Sequence, residues 1–405
     1  MTDSLSPRVL LISSTSDAER EMRSIGVSEG GVRAMAGKAE TIVIKISDAD
    51  LPTAHILKQQ MLSIGGDAAV AKDVLTHAVD RTDILLFGTH VQLRELVQKL
   101  SYQPFDLPSL GDRIAALLDS LAPRPHVRVR ARHHVLDLKE RVHIMGILNV
   151  TSDSFSDGGL YLRPTAALDH AREMIEEGAD IIDVGGQSSR PGSHPIPESE
   201  ELKRVVPVVE RIHDEWKGPI SVDTYRARVA EEALNAGASI VNDITAFTAE
   251  PATAEVTARF DAGCVLMHMQ GTPSTMQQDP SYEDLLGEIA FALRSAVARA
   301  REAGIGEDQI ILDPGLGFGK TTEHNLTILK HLPELGILGR PILIGTSRKS
   351  FIGKVLDLPV EDRLEGTLAT AAYAVAQGAR ILRVHEVRPV LRAARMVEAC
   401  LSTPA

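Results

Sequence analysis

The sequence predicts an α/β protein in two parts: a (β/α)8 barrel over the last two-thirds of the chain, preceded by a small α/β unit. Two observations carry this. From about residue 140 one unit recurs: a helical stretch closing on Gly and often Ala, then a short β-rich run ending in polar residues. Examples are Glu177-Gly-Ala-Asp-Ile-Ile-Asp183, Asn235-Ala-Gly-Ala-Ser-Ile-Val-Asn-Asp243 and Gln377-Gly-Ala-Arg-Ile-Leu-Arg-Val-His385. Eight strand–helix pairs of this kind fill roughly 260 residues, the usual size of such a barrel. An open doubly wound sheet is the alternative for alternating strands and helices, but eight units closing neatly favour the barrel.

Each element has a local reason. The Gly after each helical stretch suits a left-handed helix C-cap. The apolar runs are short and nearly continuous, as in parallel strands buried on both faces. Strands are expected at 143–150, 181–186, 219–224, 239–244, 264–269, 310–315, 341–347 and 381–386. Helices are expected near 165–178, 198–214, 226–237, 252–261, 282–304, 323–335, 361–378 and 388–402. Residues 1–121 read as a separate α/β unit, with strands at 8–13, 40–47 and 83–89 and helices at 16–25, 51–64, 90–103 and 111–121. Residues 122–140 join it to the barrel at 141–405. Pro123 and Pro125 mark the boundary, and the Val/Arg alternation that follows suits an edge strand or hairpin with its arginines in solvent.

Composition narrows the function. The 405 residues are 43% hydrophobic, enough for a large core. Aromatics at 3% and a net charge of −12 argue against nucleic acid as a partner. The two cysteines, Cys264 and Cys400, match no metal spacing and form no disulfide framework, and Cys264 lies in an apolar run suited to a core. The first apolar run, Val9–Ile12, is too short for a signal or a membrane span. A cytoplasmic enzyme with no membrane partner is the expectation.

Active sites of such barrels lie at the C-terminal ends of the strands. Here those ends are polar: Asn149, Asp183, Asp223, Asn242 with Asp243, His268, Asp313, Arg348 with Lys349, and Arg383 with His385. Capping explains one such residue, not one at nearly every strand. The signs are sorted. Asp223, Asn242 and Asp313 suit a ligand rich in N–H donors, such as a fused aminopyrimidine. Ser347-Arg-Lys-Ser350 and Arg383-Val-His385 follow the last two strands, where barrels often hold phosphate, and offer charge-assisted donors to an anion. Alternation puts Arg383 and His385 on one side of their strand. The implied ligand has two ends, a heterocycle and a phosphate group. The loops Thr151–Gly159 and Gln187–Ser193 follow strands at the same face and read as mobile lids. Asp313-Pro-Gly-Leu-Gly-Phe-Gly-Lys320 imitates a phosphate loop, but Pro314 stands where the first Gly is required. Its glycines are expected instead to let backbone approach a flat ligand.

At these residues the sequence closely resembles the dihydropteroate synthases. Met145-Gly-Ile-Leu-Asn-Val-Thr-Ser-Asp-Ser-Phe-Ser-Asp-Gly-Gly159, Ser221-Val-Asp-Thr224, Val241-Asn-Asp-Ile244, Leu266-Met-His-Met-Gln-Gly-Thr-Pro273, Asp313–Gly319, Ser347–Ser350 and Arg383–His385 occur in the family's order. The resemblance spans roughly residues 141–400. It implies condensation of 6-hydroxymethyl-7,8-dihydropterin diphosphate with p-aminobenzoate, with Mg²⁺ as cofactor and a homodimer as the assembly. It places Asp223, Asn242, Asp313 and Lys349 on the pterin. Asn149, Arg190, Arg383 and His385 would face the diphosphate, with Asn149 near the metal. Ser189, Arg190, Phe318 and Ser350 would border the p-aminobenzoate. Asp223, Lys349, Arg383 and His385 would carry catalysis, and Asp153, Phe155, Pro191 and Gly192 belong to the two loops. Gln187 stands where the family usually has Glu, Ser189 where Thr is usual, and Ser152 where Pro is common; Gln187 removes a charge from the second loop. Residues 1–121 resemble an extension of some bacterial members. The rival readings are a pterin-dependent methyltransferase of the same superfamily, which should lack the cations Arg190, Arg383 and His385, and a non-catalytic pterin-binding paralogue.

Overall fold

The computed structural model describes residues 10, 12, 15–74, 78–121, 128–150, 164–188 and 195–403. The chain forms two compact units, Met1–Pro123 and Arg124–Ala405. In the first, α1 (Thr15–Ser24) and α2 (Glu29–Met35) precede a three-stranded antiparallel sheet of β1 (Thr41–Asp50), β2 (Asp67–Val70) and β3 (Arg81–Thr89), in the order β1-β3-β2. Helices α3 (Leu51–Ser63), α4 (His90–Leu100) and α5 (Leu107–Leu121) complete it. The period-2 pattern of β3 buries Thr82, Ile84 and Leu86. Ile84 and Leu86 share a core with Leu57 and Met61 of α3, Leu93 and Leu96 of α4 and Leu118 of α5. A capping box starts α4: Thr89 Oγ accepts from Gln92 N–H while Gln92 Oε1 accepts from Thr89 N–H. The strand β2 and the helix α2 were not expected, because each is short and lacks a clear period. The strand expected at 8–13 falls largely outside the described residues.

In the second unit a hairpin of β4 (Arg128–Ala131) and β5 (His134–Asp137) precedes the barrel strands β6 (His143–Asn149), β7 (Ile181–Gly185), β8 (Ile220–Asp223), β9 (Ile240–Asp243), β10 (Gly263–Met267), β11 (Ile310–Asp313), β12 (Leu343–Ile344) and β13 (Ile381–Val384). They form one parallel sheet, ordered β11-β10-β9-β8-β7-β6-β13-β12. A parallel bridge between Leu312 and Ile342 joins its ends, and Leu312 N–H donates to Pro341 O at 2.9 Å. The result is the expected TIM barrel. Its outer ring holds α6 (Pro164–Glu176), α7 (Glu198–Glu215), α8 (Ala227–Asn235), α9 (Ala252–Arg259), α10 (Leu285–Glu302), α11 (Thr322–Lys330), α12 (Leu332–Leu335), α13 (Ser350–Leu356), α14 (Leu364–Ala376) and α15 (Val387–Ser402). The seventh strand is far shorter than the run 341–347. The stretch 361–378 holds a 3-10 turn at Val360–Asp362 and then α14, with α13 as an additional helix before it.

The hairpin closes the barrel's N-terminal end. Val129, Ala131, Leu136 and Leu138 pack on Met145, Ile181, Ile240, Val265, Ile311, Leu343 and Ile381, mostly the first residues of their strands. Arg128 is exposed, as the sequence suggested, and pairs with Asp137 across the hairpin, but the other two arginines are tied down. Arg130 pairs with Asp261 and Asp308, and Arg132 donates to Leu234 O at 2.7 Å and Ala238 O at 2.9 Å. With this end filled among the described residues, a ligand site belongs at the C-terminal end.

Candidate active site

Strand register brings the first site residues to one level. Asn149 lies beside Gly185, Gly185 beside Asp223, and Asp223 beside Asn242. Four consecutive strands, β6 to β9, thus set Asn149, Gly185, Asp223 and Asn242 at the same height on the C-terminal end.

Arg383 on β13 reaches across to this row. Its Nε donates to Asp183 Oδ2 at 2.7 Å and its Nη2 to Asp223 Oδ2 at 2.7 Å. Asn242 Nδ2 donates to the same Asp183 oxygen at 3.1 Å. Asp183 is 0% exposed, and among the described residues its Oδ1 has no partner. Two carboxylates on one guanidinium leave the cluster short of positive charge. Burial pushes the Asp223 carboxyl up to about 7; Arg383 opposes the shift, and Asp183 adds to it. Such a cluster would favour a ligand that brings N–H donors or positive character.

The opposite wall comes from β11 and the segment before α13. Asp313 is buried, accepts Gly315 N–H at 2.7 Å, and is held above the usual carboxylate range by burial. Lys349 stands at the N-cap of α13 with Ser350 as that helix's first residue. Burial lowers the Lys349 ammonium to about 8, against the pull of Asp313. Its Nζ lies 4.2 Å from the Phe318 ring centroid, a cation–π contact. Phe318 packs with Ile244, Met267 and Met276. Beyond them a cavity of about 540 Å³ opens on the β9–β10 side, bordered by Ile244, Met267, Tyr225 and Arg299.

The glycines between Asp313 and Lys320 permit this wall. Gly315 has φ +70°, and a Cβ there would sit 1.9 Å from His268 O. Gly319 has φ +62°, and a Cβ there would sit 2.5 Å from Gln270 O. Only a residue without a side chain allows both the left-handed turn and the approach of the β10 end.

The remaining expected residues divide. His385 Nδ1 lies 2.9 Å from Ser347 Oγ, and His385 N–H donates to that oxygen at 3.2 Å. Arg348, expected among the anion donors, pairs with Glu386 instead and is half-exposed. Asp243 turns away from the site: its Oδ1 accepts from Thr245 N–H at 2.7 Å and its Oδ2 from Phe247 N–H at 3.0 Å. Asp153, Phe155, Ser189, Arg190, Pro191 and Gly192 lie outside the described residues. At the base of the second loop, Gln187 Nε2 donates to Tyr225 OH at 3.2 Å, while Gln187 Oε1 accepts from Ile196 N–H at 3.2 Å and Arg226 Nη2 at 3.4 Å. Arg226 is also paired with buried Glu201 at 2.8 Å. An amide can serve donor and acceptors there at once, so the missing charge at Gln187 is replaced by bonds.

Sequence reading assigned no role to Asp183, Lys320 or Glu201. Asp183 shared the strand-end signal, but only the fold shows that it holds Arg383. Glu201 sits in a charged helix start, where the sequence does not reveal that Thr224 and Arg226 lie beside it.

The profile of the family described as pterin binding enzyme matches residues 145–385. The dihydropteroate synthase of Bacillus subtilis (strain 168) is 48% identical over 274 residues, 68% of this chain and 94% of that relative. The dihydropteroate synthase of Escherichia coli (strain K12) is 47% identical over 260 residues, 64% of this chain and 92% of that relative. Among solved structures, dihydropteroate synthase of Yersinia pestis with a sulfonamide drug covers 68% of this chain and 100% of its own, at 45% identity and a TM-score of 0.65. That of Xanthomonas albilineans with 4-aminobenzoic acid covers 69% and 100%, at 40% identity and a TM-score of 0.65.

Proposed function

The chain belongs to the pterin binding enzyme family as a transferase with dihydropteroate synthase activity, and on that premise we propose which of its residues carry the reaction. The reaction joins 6-hydroxymethyl-7,8-dihydropterin diphosphate to p-aminobenzoate, giving 7,8-dihydropteroate and diphosphate. The observation that carries the assignment is the buried Asp183–Arg383–Asp223 network with Asn242 at the open end of the barrel.

In this assignment Asp223, Asn242 and Asp313 take the N–H groups of the pterin, and Lys349 closes its edge. As the C–O bond to diphosphate breaks, the pterin methylene gains positive character. The buried carboxylates Asp223 and Asp183 stabilise that charge without attacking it. Arg383 and His385 face the leaving diphosphate, joined by Asn149 and Arg190. Binding of the ring's donors to Asp223 would free the Arg383 Nη2 group for phosphate oxygen. The amine enters along Phe318 and Ser350, with Ser189 and Arg190 completing its pocket, and its nitrogen attacks the methylene. The loops carrying Asp153, Phe155, Pro191 and Gly192 would exclude water, which competes with the amine.

Mg²⁺ suits this donor set only with substrate attached. The Asn149 amide offers one hard oxygen, and among the described residues no group of three His, Cys, Asp or Glu could hold an ion. Magnesium is often bound through one or two protein oxygens plus substrate phosphates. When bound, it would neutralise diphosphate charge.

A homodimer in the cytoplasm completes the reading. It is supported by the exposed apolar residues Tyr373 on α14 and Met396 and Leu401 on α15, and by two free thiols, buried Cys264 and exposed Cys400. Among the described residues no helix is long and apolar enough to cross a membrane. The site assignment is tested by following diphosphate release and dihydropteroate together, with both substrates and Mg²⁺. Product should collapse in Asp223→Ala and Lys349→Ala. Full activity in either variant would overturn it.

A further inference from the structure

The phosphate-loop imitation ends in a lysine that meets no phosphate. Lys320 is 3% exposed and its ammonium points inward. Nζ donates to Phe318 O at 3.0 Å and to His268 O at 3.4 Å, and lies 3.0 Å from His268 Nδ1. Burial lowers the Lys320 ammonium to about 7, Asp313 pulling the other way and Lys349 adding to the shift. Burial, with Lys320 adjacent, lowers the His268 imidazole to about 3. His268 is therefore neutral, and its Nδ1 can accept a hydrogen bond from the Lys320 ammonium.

The loop that Lys320 closes has little stiffness of its own. Gly315, Gly317 and Gly319 all have positive φ, and glycine restricts its backbone least. The loop is instead held from outside. Gly317 N–H donates to Asn325 Oδ1 at 2.7 Å, Gln277 Nε2 to Gly317 O at 2.8 Å, and Tyr282 OH to Gly319 O at 2.7 Å. Among these bonds, Lys320 alone grips the carbonyl of Phe318, the residue whose ring lies against Lys349. A buried ammonium with no carboxylate on it is a costly way to fill space, since an apolar side chain would avoid its desolvation. What an apolar side chain could not do is tie one loop carbonyl to both the carbonyl and the ring of His268 on the neighbouring strand.

We propose that Lys320 is a positioning residue for the second substrate: it clasps the loop 314–319 to the end of β10 and so fixes the Phe318 ring as a wall of the amine site. This rests on the reading that Phe318 borders p-aminobenzoate. Lys320 itself touches neither substrate.

The test is steady-state kinetics of the full chain with each substrate varied in turn, for Lys320→Met and Phe318→Ala. Lys320→Met keeps the apolar stem and removes all three bonds. It should raise KM for p-aminobenzoate about tenfold, while KM for the pterin diphosphate and kcat each stay within about threefold. Phe318→Ala should raise the same KM. An unchanged p-aminobenzoate KM in Lys320→Met, with the Phe318→Ala effect present, overturns the clasp. An unchanged KM in Phe318→Ala overturns the reading of Phe318, and the proposal falls with it. Equal losses for both substrates in Lys320→Met would reduce Lys320 to general stability and also overturn the proposal. Should Lys320→Met not fold, Lys320→Gln, which can still donate to Phe318 O, is read on the same axes with a smaller rise expected.

Discussion

At Arg383 one buried guanidinium serves two carboxylates, and neither acid has another cation within hydrogen-bond reach among the described residues. Removing it leaves uncompensated buried charge. Arg383→Gln should destabilise the barrel unit by about 3–5 kcal/mol, seen in denaturant unfolding, and should abolish turnover. A stable but inactive variant would mean that Asp183 and Asp223 had neutralised instead. The same residues set the pH profile. Asp223 is held up at about 7, so the charge that meets the pterin is present above that pH and lost as pH falls through it. Lys349 is held down at about 8, so its cation is present below that pH and lost as pH rises through it. The profile of kcat/KM for the pterin diphosphate should be a narrow bell with these limbs. Asp223→Asn should remove the acid limb along with most activity. A profile flat from about pH 6 to 9 would refute the assignment of charge states.

At the scale of elements, the turn after β11 and the hairpin before β6 make separate claims. Gly315→Ala would force a Cβ against His268 O at a positive φ, and left-handed strain alone costs about 1–3 kcal/mol. Low solubility or a large fall in melting temperature is expected, whereas a neutral Ala would show that the β10 end yields easily. In the hairpin, Leu136 is buried in the plug at the barrel's lower end. Leu136→Ala should cost about 2–5 kcal/mol of barrel stability, with KM for both substrates unchanged, because the plug lies at the end opposite the site. These two elements also mark what the sequence could reveal. The eight strands were readable because each is a continuous apolar run closed by a polar residue, a signal local to five or six positions. Arg130 of the hairpin was misread because its partners, Asp261 and Asp308, lie 131 and 178 residues away. The site followed the same rule. Asp223, Asn242 and Lys349 stand at strand ends or in motifs, whereas the tie from Arg383 to Asp183 spans 200 residues and exists only once the barrel closes. Lys320 was hidden differently, inside a motif whose likeness to a phosphate loop drew attention to the wrong chemistry.

For the whole molecule, the two units have separate hydrophobic cores, one built on Leu57, Ile84 and Leu118 and the other on the barrel strands and their helices. The relatives match over 92–94% of their own length while covering only 64–68% of this chain. The relatives named dihydropteroate synthase thus correspond to the barrel unit, and no residue of the first unit is assigned to the chemical step. We expect a role in assembly or stability. A chain beginning at Arg124 should keep kcat within about threefold of the full protein, since every assigned site residue remains. Its mass by light scattering, its melting temperature, or both should fall. If turnover, mass and melting temperature all match the full protein, that role is excluded. If turnover is lost while the barrel still melts cooperatively, the first unit must reach the site, and the assignment of catalysis to the barrel alone would have to be abandoned.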